Sequence, residues 1–457
     1  MEIENNTLKQ GKIRKLLLKF AIPSVFALLV SELYNIVDTV YVGHYIGVTT
    51  LAAITIAFPI QKLLVALGLL IAVGASTYAA RSLGEKNYSE FKKIVFTSFS
   101  LVLISLTIVS LIIFIFRRPI FYVLGADNLT YPLVNKYVSI LLLGGIFQSL
   151  SVVACYIMIS LKKTKALLYT NLIGVTLNIL INYILIVKLH FGIEGAAIAT
   201  VLSQITAFTF AFYKFKNIIK EFHIEFSMRS IHNSVTKEII WGIMTVGFST
   251  FIIEIEDALV TVVLNNLLYT GGGESAIVMV GVITKISMFL FVTIIGISSA
   301  MQPIVAYNFG AENYDKVKKV LNTSIKVVLI TSFALWSIFM LFPNYIIGFF
   351  LNDAALLNKT VKAFRLCISL IPLTGIYYVV INYYQAIGEA KKSFLLSIYR
   401  EIIVFIPLAI LLVQLFGIKG AWAAYPITDA SAVLTSFYFL NKALKEDFDQ
   451  VGVSEKF

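Results

Sequence analysis

Long apolar stretches with almost no charge, each about the length needed to cross a bilayer, constrain this chain more than any motif does. Twelve are readable, at 16–43, 50–79, 94–117, 132–159, 166–188, 193–215, 239–266, 275–302, 318–343, 361–386, 394–416 and 419–441. Across 457 residues only 14% are charged and 59% are hydrophobic, with a mean hydropathy of +0.88. Soluble domains carry about 25% charged residues. The composition therefore predicts an all-α integral membrane protein, with the lipid bilayer as its first partner.

The longest polar stretch inside the chain divides the spans six and six. Residues 1–215 read as an N-terminal six-helix lobe, 216–237 as a cytoplasmic linker, 238–445 as a second six-helix lobe and 446–457 as a polar tail. The net charge of +12 does not signal nucleic acid, because Lys and Arg gather in short loops between apolar runs. Those loops include Arg81–Lys93, Lys162–Lys165, Lys214–Lys237 and Lys316–Lys319, with Arg117–Arg118 as the main exception on the other side. That bias places both termini in the cytoplasm. No cleavable leader is visible before the first span. Cys155 and Cys367 each sit inside an apolar run and read as packing residues.

The halves resemble one another. GASTYAARSLGEKNYSEFKKIV leaves the second span, and SSAMQPIVAYNFGAENYDKVKKVL leaves the eighth. Gly84, Asn87 and Tyr88 match Gly310, Asn313 and Tyr314 at a constant separation of 226 residues. FGIEGAAIATVLSQ, from Phe191, matches FGIKGAWAAYPITD, from Phe416. Two recurrences in the same order predict a duplicated unit. Six spans per copy make it a parallel repeat, an arrangement common in transporters.

Polar residues inside the spans carry the functional reading. Asp38 and Glu32 lie in the first span, where an ionised side chain is expensive and marks either an ion or substrate path or a structural hydrogen bond. Asn171, Asn178 and Asn182 share one face of the fifth span, with Thr200 and Gln204 on the sixth. Such a stripe either joins helices by hydrogen bonds or offers oxygen to a hard cation. The seventh span holds Glu254, Glu256 and Asp257; at about 100° per residue, Glu254 and Asp257 lie close and Glu256 is turned away. Close carboxylates titrate as a coupled set and favour proton binding. Aligning the halves makes Thr261 the partner of Asp38 and Lys285 that of Lys62, so the two copies differ chemically. Lys62 reads as a snorkelling side chain or the partner of a helix acid. Arg400–Glu401 reads as a local structural pair and Asp429 as a cap or pairing residue in the last span. Prolines 23, 59, 303, 372, 407 and 426 fall in or beside spans, where they permit kinks.

No Walker loop, His-rich metal motif or Ser-His-Asp order is present, so the sequence predicts a non-enzyme with no nucleotide or other cofactor. Uphill transport would then draw on an ion gradient.

LYNIVDTVYVG in the first span, AARSLGEKN after the second, LNILINYILI in the fifth, GIEGAAIAT before the sixth, MQPIVAYNFGAENYDKVKKV, REIIVFIPLAILL and GAWAAYPITD together resemble the multidrug and toxic compound extrusion family over nearly the whole chain. The resemblance implies two pseudo-symmetric six-helix bundles around a central cleft. It also implies a monomeric antiporter of the cytoplasmic membrane that exports cationic, lipophilic drugs against H⁺ or Na⁺ by alternating access. Asp38 matches the family's first-helix acid, and Asn178 and Thr200 fall where related members place cation ligands. Asn182 stands where many members have Asp, which removes a charge. On this pattern Asp38, Asn178, Asn182 and Thr200 would hold H⁺ or Na⁺. Glu254, Glu256, Asp257, Tyr377 and Tyr378 would serve an organic cation or a second coupling proton. The tenth span, with Tyr377, Tyr378, Tyr383 and Tyr384, lacks the acid some members carry there.

Two rivals remain at this stage. A flippase for a lipid-linked sugar or cell-wall precursor would handle phosphate and call for a basic cleft. A passive channel would call for a recurrent filter, which neither half supplies.

Overall fold

A backbone in hydrocarbon must satisfy its own polar groups, and the apolar runs do so as helices. The computed structural model describes residues 13–220, 235–351 and 354–452, with side chains except at 33–40, 48, 51, 257, 265–266, 269–274, 277 and 444–452. No strand occurs among the described residues. Most of the expected linker, at 221–234, and the end of the polar tail, at 453–457, lie outside them.

The helices are α1 (Ile13–Tyr45), α2 (Val48–Gly84), α3 (Tyr88–Ile115), α4 (Arg117–Val123), α5 (Tyr131–Ser160), α6 (Ala166–Asn182) and α7 (Gly192–Lys220). After these come α8 (Lys237–Gly310), α9 (Tyr314–Leu341), α10 (Pro343–Gly348), α11 (Ala354–Cys367) and α12 (Ile371–Ile387). The chain finishes with α13 (Ala390–Ile398), α14 (Ile406–Phe416) and α15 (Ile418–Gly452). Among the described residues eight helices are long and apolar enough to cross a membrane, or nine if α11 and α12 form one span bent by 44°.

Three local departures from the sequence reading have physical causes. The expected span 361–386 is broken between Cys367 and Ile371, just before Pro372, whose ring cannot continue the hydrogen-bond ladder. The expected gap between 266 and 275 is absent, because α8 is helical for 74 residues through its glycines. A straight helix of that length would measure about 110 Å, several bilayer thicknesses, so helical backbone alone does not delimit the spans here. The spans at 166–188 and 394–416 each contain a wider π-helical stretch, at Tyr183–Lys188 and Tyr399–Phe405.

The repeat is visible in the backbone. Asn87 caps α3 by accepting from Glu90 N at 3.1 Å, and Asn313 caps α9 by accepting from Lys316 N at 3.3 Å. Each is preceded by a left-handed residue, Lys86 at φ 59° and Glu312 at φ 56°. Each also donates its own backbone N–H at 2.8 Å, to Ser82 O and Asn308 O respectively. The same separation of 226 residues relates the short helices α4 and α10, which begin at Arg117 and Pro343 and were not expected from sequence. Gly192 and Gly417, from the second recurrence, have φ 58° and 60°.

The chain packs as two compact units, one of Phe26–Ile255 and the other of Met1–Val25 with Glu256–Phe457. The start of α8 therefore packs with the first half of the sequence. Glycine makes this packing close: a Cβ on Gly74 would lie 2.1 Å from Ile243 O, and one on Gly247 would lie 1.8 Å from Leu70 O. Such small-residue approach is how helices associate where no hydrophobic force drives them together. In the other unit Gly296 admits Val25 of α1, whose Cα would be 2.9 Å from a Cβ there. Large apolar side chains of α3, including Ile104, Ile108, Leu111 and Ile115, are exposed, as suits a lipid-facing helix.

Candidate functional site

In the unit Phe26–Ile255, α6 and α7 bury the predicted neutral ligands. Asn178 and Asn182 are 0% exposed and Thr200 is 1% exposed. Asn182 Nδ2 donates to Asn178 Oδ1 at 3.1 Å, in the last turn before the π-helical stretch that begins at Tyr183. Asn171, the third member of the stripe, donates instead to Ala27 O at 3.0 Å and joins α6 to α1. The stripe thus splits: Asn171 is helix glue, whereas Asn178 and Asn182 form a buried amide pair. Asn178 Nδ2 is buried with no hydrogen-bond partner among the described residues. Asp38 continues the backbone of α1, but its side chain lies outside the described residues, as does that of Asp257.

The described donors fit a coupling ion only in part. Two amides and one hydroxyl supply neutral oxygen but no charge, and Asn178 Oδ1 already accepts from Asn182. No cluster of three or more His, Cys, Asp or Glu with metal-binding geometry occurs among the described residues. A carboxylate such as Asp38 would have to complete the set.

Of Glu254, Glu256 and Asp257 in α8, the first two have described side chains, and they fall in different units. Glu254 lies 3.5 Å from Lys62 Nζ of α2, and both side chains are largely buried. Lys62 also stands 5.8 Å from the Phe58 ring. Glu256, two residues further, belongs to the other unit and is 5% exposed.

In that other unit a cluster forms that the sequence reading set aside as local and structural. Arg400, in the π-helical stretch after α13, directs Nε and Nη2 to Asp429 Oδ1 at 3.1 and 2.8 Å. Its Nη1 donates to Glu401 Oε1. The guanidinium also sits 5.3 Å from the Phe291 ring, where the face of the π system favours a cation. Tyr378 meets Phe291 edge-on at 6.3 Å and Tyr377 at 6.0 Å. Tyr377 donates its hydroxyl to Leu396 O, and Tyr384 to Phe439 O at 2.8 Å, so both anchor α12 to neighbouring helices. Tyr378 lies within electrostatic reach of Arg400, Glu401, Glu256 and Asp429. The structure therefore brings Tyr377 and Tyr378 beside a buried arginine cluster, in the unit that also holds Glu256. An arginine within REIIVFIPLAILL was itself the available signal, by the same cost argument that singled out Asp38.

The MatE family model matches residues 23–184 and 246–411. The chain is 28% identical over 452 residues to the multidrug export protein MepA of Staphylococcus saprophyticus, covering 96% of each. It is 25% identical to MepA of Staphylococcus aureus, covering 97% of each. Among solved structures, an outward-facing multidrug resistance MATE family transporter of the MOP superfamily superposes with a TM-score of 0.88 at 25% identity, over 96% of this chain and 98% of that one. A MOP superfamily transporter from Pyrococcus furiosus, described as having a binding pocket of reversed polarity that suggests a different function, superposes equally well at 24% identity, with the same coverage.

Proposed function

The chain belongs to the MatE family and is a multi-pass membrane protein, and from that premise we propose that it is a secondary antiporter exporting cationic, lipophilic compounds from the cytoplasm in exchange for H⁺ or Na⁺. Twelve spans in two six-helix lobes, 1–215 and 238–445, open a cleft to either side in turn, with both termini cytoplasmic and a single chain as the working unit. Asp38 takes the coupling ion, helped by Asn178, Asn182 and Thr200. The carboxylates of α8 supply negative potential for the substrate. One charge moving through 100 mV releases about 2.3 kcal/mol, enough for a useful concentration gradient.

The observation that carries this reading is the pairing of deep bases with acids. Lys62 meets Glu254, and Arg400 meets both Asp429 and Glu401. A lipid-linked sugar phosphate would need a basic surface, and these two cations are already neutralised. The multidrug export names of the relatives support the same substrate class.

The test uses purified protein in liposomes, with uptake of a panel of fluorescent organic cations under Na⁺ and pH gradients imposed separately. Exchange driven by one of the gradients is expected. Silence under both, with translocation of a fluorescent lipid-linked sugar phosphate, would replace the antiporter with the flippase.

A further inference from the structure

Arg117 and Arg118 open α4, at the end of α3 opposite Lys92 and Lys93. They are the main exception to a bias that keeps basic residues on one side of a membrane, and the antiport reading gives them no task. Asp127 is the only acid between Glu90 and Glu194, and its carboxylate already accepts from Leu129 and Thr130. Neither arginine forms an ion pair among the described residues. Arg118 is exposed. Arg117 is half-buried, its guanidinium 4.9 Å from the ring of Phe114.

The surface beside them is apolar and continues the lipid-facing side of α3, from Ile108 and Leu111 through Ile115 and Phe116 to Val123. The short helix is fixed in its orientation. Phe121 is buried, Tyr122 stacks on Tyr131 at 5.5 Å, and Val123 is 85% exposed. A short helix that continues a lipid-facing span and exposes apolar side chains suits the boundary between headgroups and acyl chains. The repeat supplies a comparison. In α10 Ile347 is buried where α4 has Phe121, and Phe349 is 88% exposed where α4 has Val123. Leu341 and Phe342 likewise match Ile115 and Phe116, and all four are exposed. Pro343 and Asn344, however, stand in the places of the two arginines. Hydrocarbon accounts for the apolar face in both copies; only α4 adds two cations at its edge. A guanidinium matches a phosphate with two parallel hydrogen bonds.

We propose that Arg117 and Arg118 bind the phosphate of an anionic phospholipid, whose acyl chains lie along α3 and the exposed side of α4, in the leaflet opposite the Lys-rich loops. A lipid fits better than a soluble phosphate because the apolar side chains that border the arginines would otherwise face water. The site does not depend on the antiport reading.

The test reads lipid contact at α4 itself. Val123→Trp places a fluorescent reporter on the exposed side, and the full-length protein is reconstituted in bilayers of equal parts phosphatidylcholine and phosphatidylglycerol. Bromine on the acyl chains of one lipid or the other quenches a tryptophan only at contact, and the parent protein without the reporter is subtracted. Brominated phosphatidylglycerol should quench more than brominated phosphatidylcholine, with a relative affinity of about fivefold. Arg117→Gln/Arg118→Gln should abolish the preference, and Arg118→Gln alone, at the exposed position, should weaken it. A Phe349→Trp reporter on α10, which has no arginine pair, should show none. Equal quenching by both lipids at Val123→Trp overturns the proposal. A preference that survives the double arginine variant, or that appears equally at Phe349→Trp, also overturns it, because bulk surface charge would then suffice. Inorganic phosphate at the concentration of the lipid phosphate should leave the preference intact. Its loss there would give the arginines to a soluble anion and remove the lipid.

Discussion

Lys62 Nζ of α2 stands 3.5 Å from a Glu254 carboxylate oxygen of α8, inside one compact unit and against the Phe58 ring. The lysine is a resident cation on an acid that the proposed function assigns to cationic substrates. Lys62→Met should therefore leave Glu254 open to competition and lower the apparent KM for organic cations severalfold. Glu254→Gln should raise it. Because both side chains retain some exposure, a double-mutant cycle on the unfolding midpoint in detergent should give a coupling of about 1–2 kcal/mol. Unchanged KM in both variants would make the pair purely structural.

The Arg400–Asp429 pair is fully buried, and its energetics should be asymmetric. Arg400→Met leaves two carboxylates without their counter-ion and should cost about 3–5 kcal/mol, seen as low expression and a depressed melting midpoint. Combining Arg400→Met with Asp429→Leu and Glu401→Gln should recover most of that loss, because the desolvation penalty disappears with the charges. Failure to recover would point to packing on Phe291 as the larger contribution.

Much of the fold was legible because lipid imposes one rule: long apolar runs with few charges become helices. The repeat was legible because short polar loops need particular residues, here Asn87 and Asn313 as caps. What escaped was set by packing. Nothing in the sequence of α8 announces that its first turns pack with α2; that follows from carbonyls of Leu70 and Ile243 lying where Gly247 and Gly74 have no side chain. The candidate site divided for a related reason. Residue types singled out Asn178, Asn182 and Glu256, all of which are buried. Helix periodicity already turned Glu256 away from Glu254, but only the packing gave Glu254 its lysine and Arg400 its second acid, Asp429.

The glycine contact makes a sharp prediction. Gly247→Ala places a methyl group 1.8 Å from a backbone oxygen, which no rotamer can relieve. It should destabilise by about 3 kcal/mol or more, at the upper end of overpacking costs. Gly281→Ala in the same helix meets nothing within 4 Å and should instead stabilise slightly through helix propensity. Thermal unfolding of the two proteins in matched detergent compares them directly.

Asp127, in the loop between α4 and α5, offers a pH test outside the membrane. Its carboxylate accepts from the Thr130 hydroxyl and amide and from Leu129 N, which holds it below the ordinary carboxylate range. A depressed folded-state value means the local stabilisation is present above the unfolded value, about 3.9, and is lost as pH falls through the folded one. Amide exchange at Leu129 and Thr130 should rise, relative to a reference loop, over that acidic window. Asp127→Asn should remove this pH dependence.

The two copies of the cap permit a test of the repeat at the level of energy. Asn87→Ala and Asn313→Ala each delete one capping acceptor and should each cost about 1 kcal/mol. The residues before them, Lys86 and Glu312, hold left-handed backbone at φ 59° and 56°, a conformation that costs a side-chain-bearing residue about 1–2 kcal/mol. Lys86→Gly and Glu312→Gly should therefore both raise the unfolding midpoint, although the replaced residues carry opposite charges. A gain at both positions would trace the effect to the shared backbone geometry. A gain at one position and a loss at the other would mean that local electrostatics outweigh the repeat.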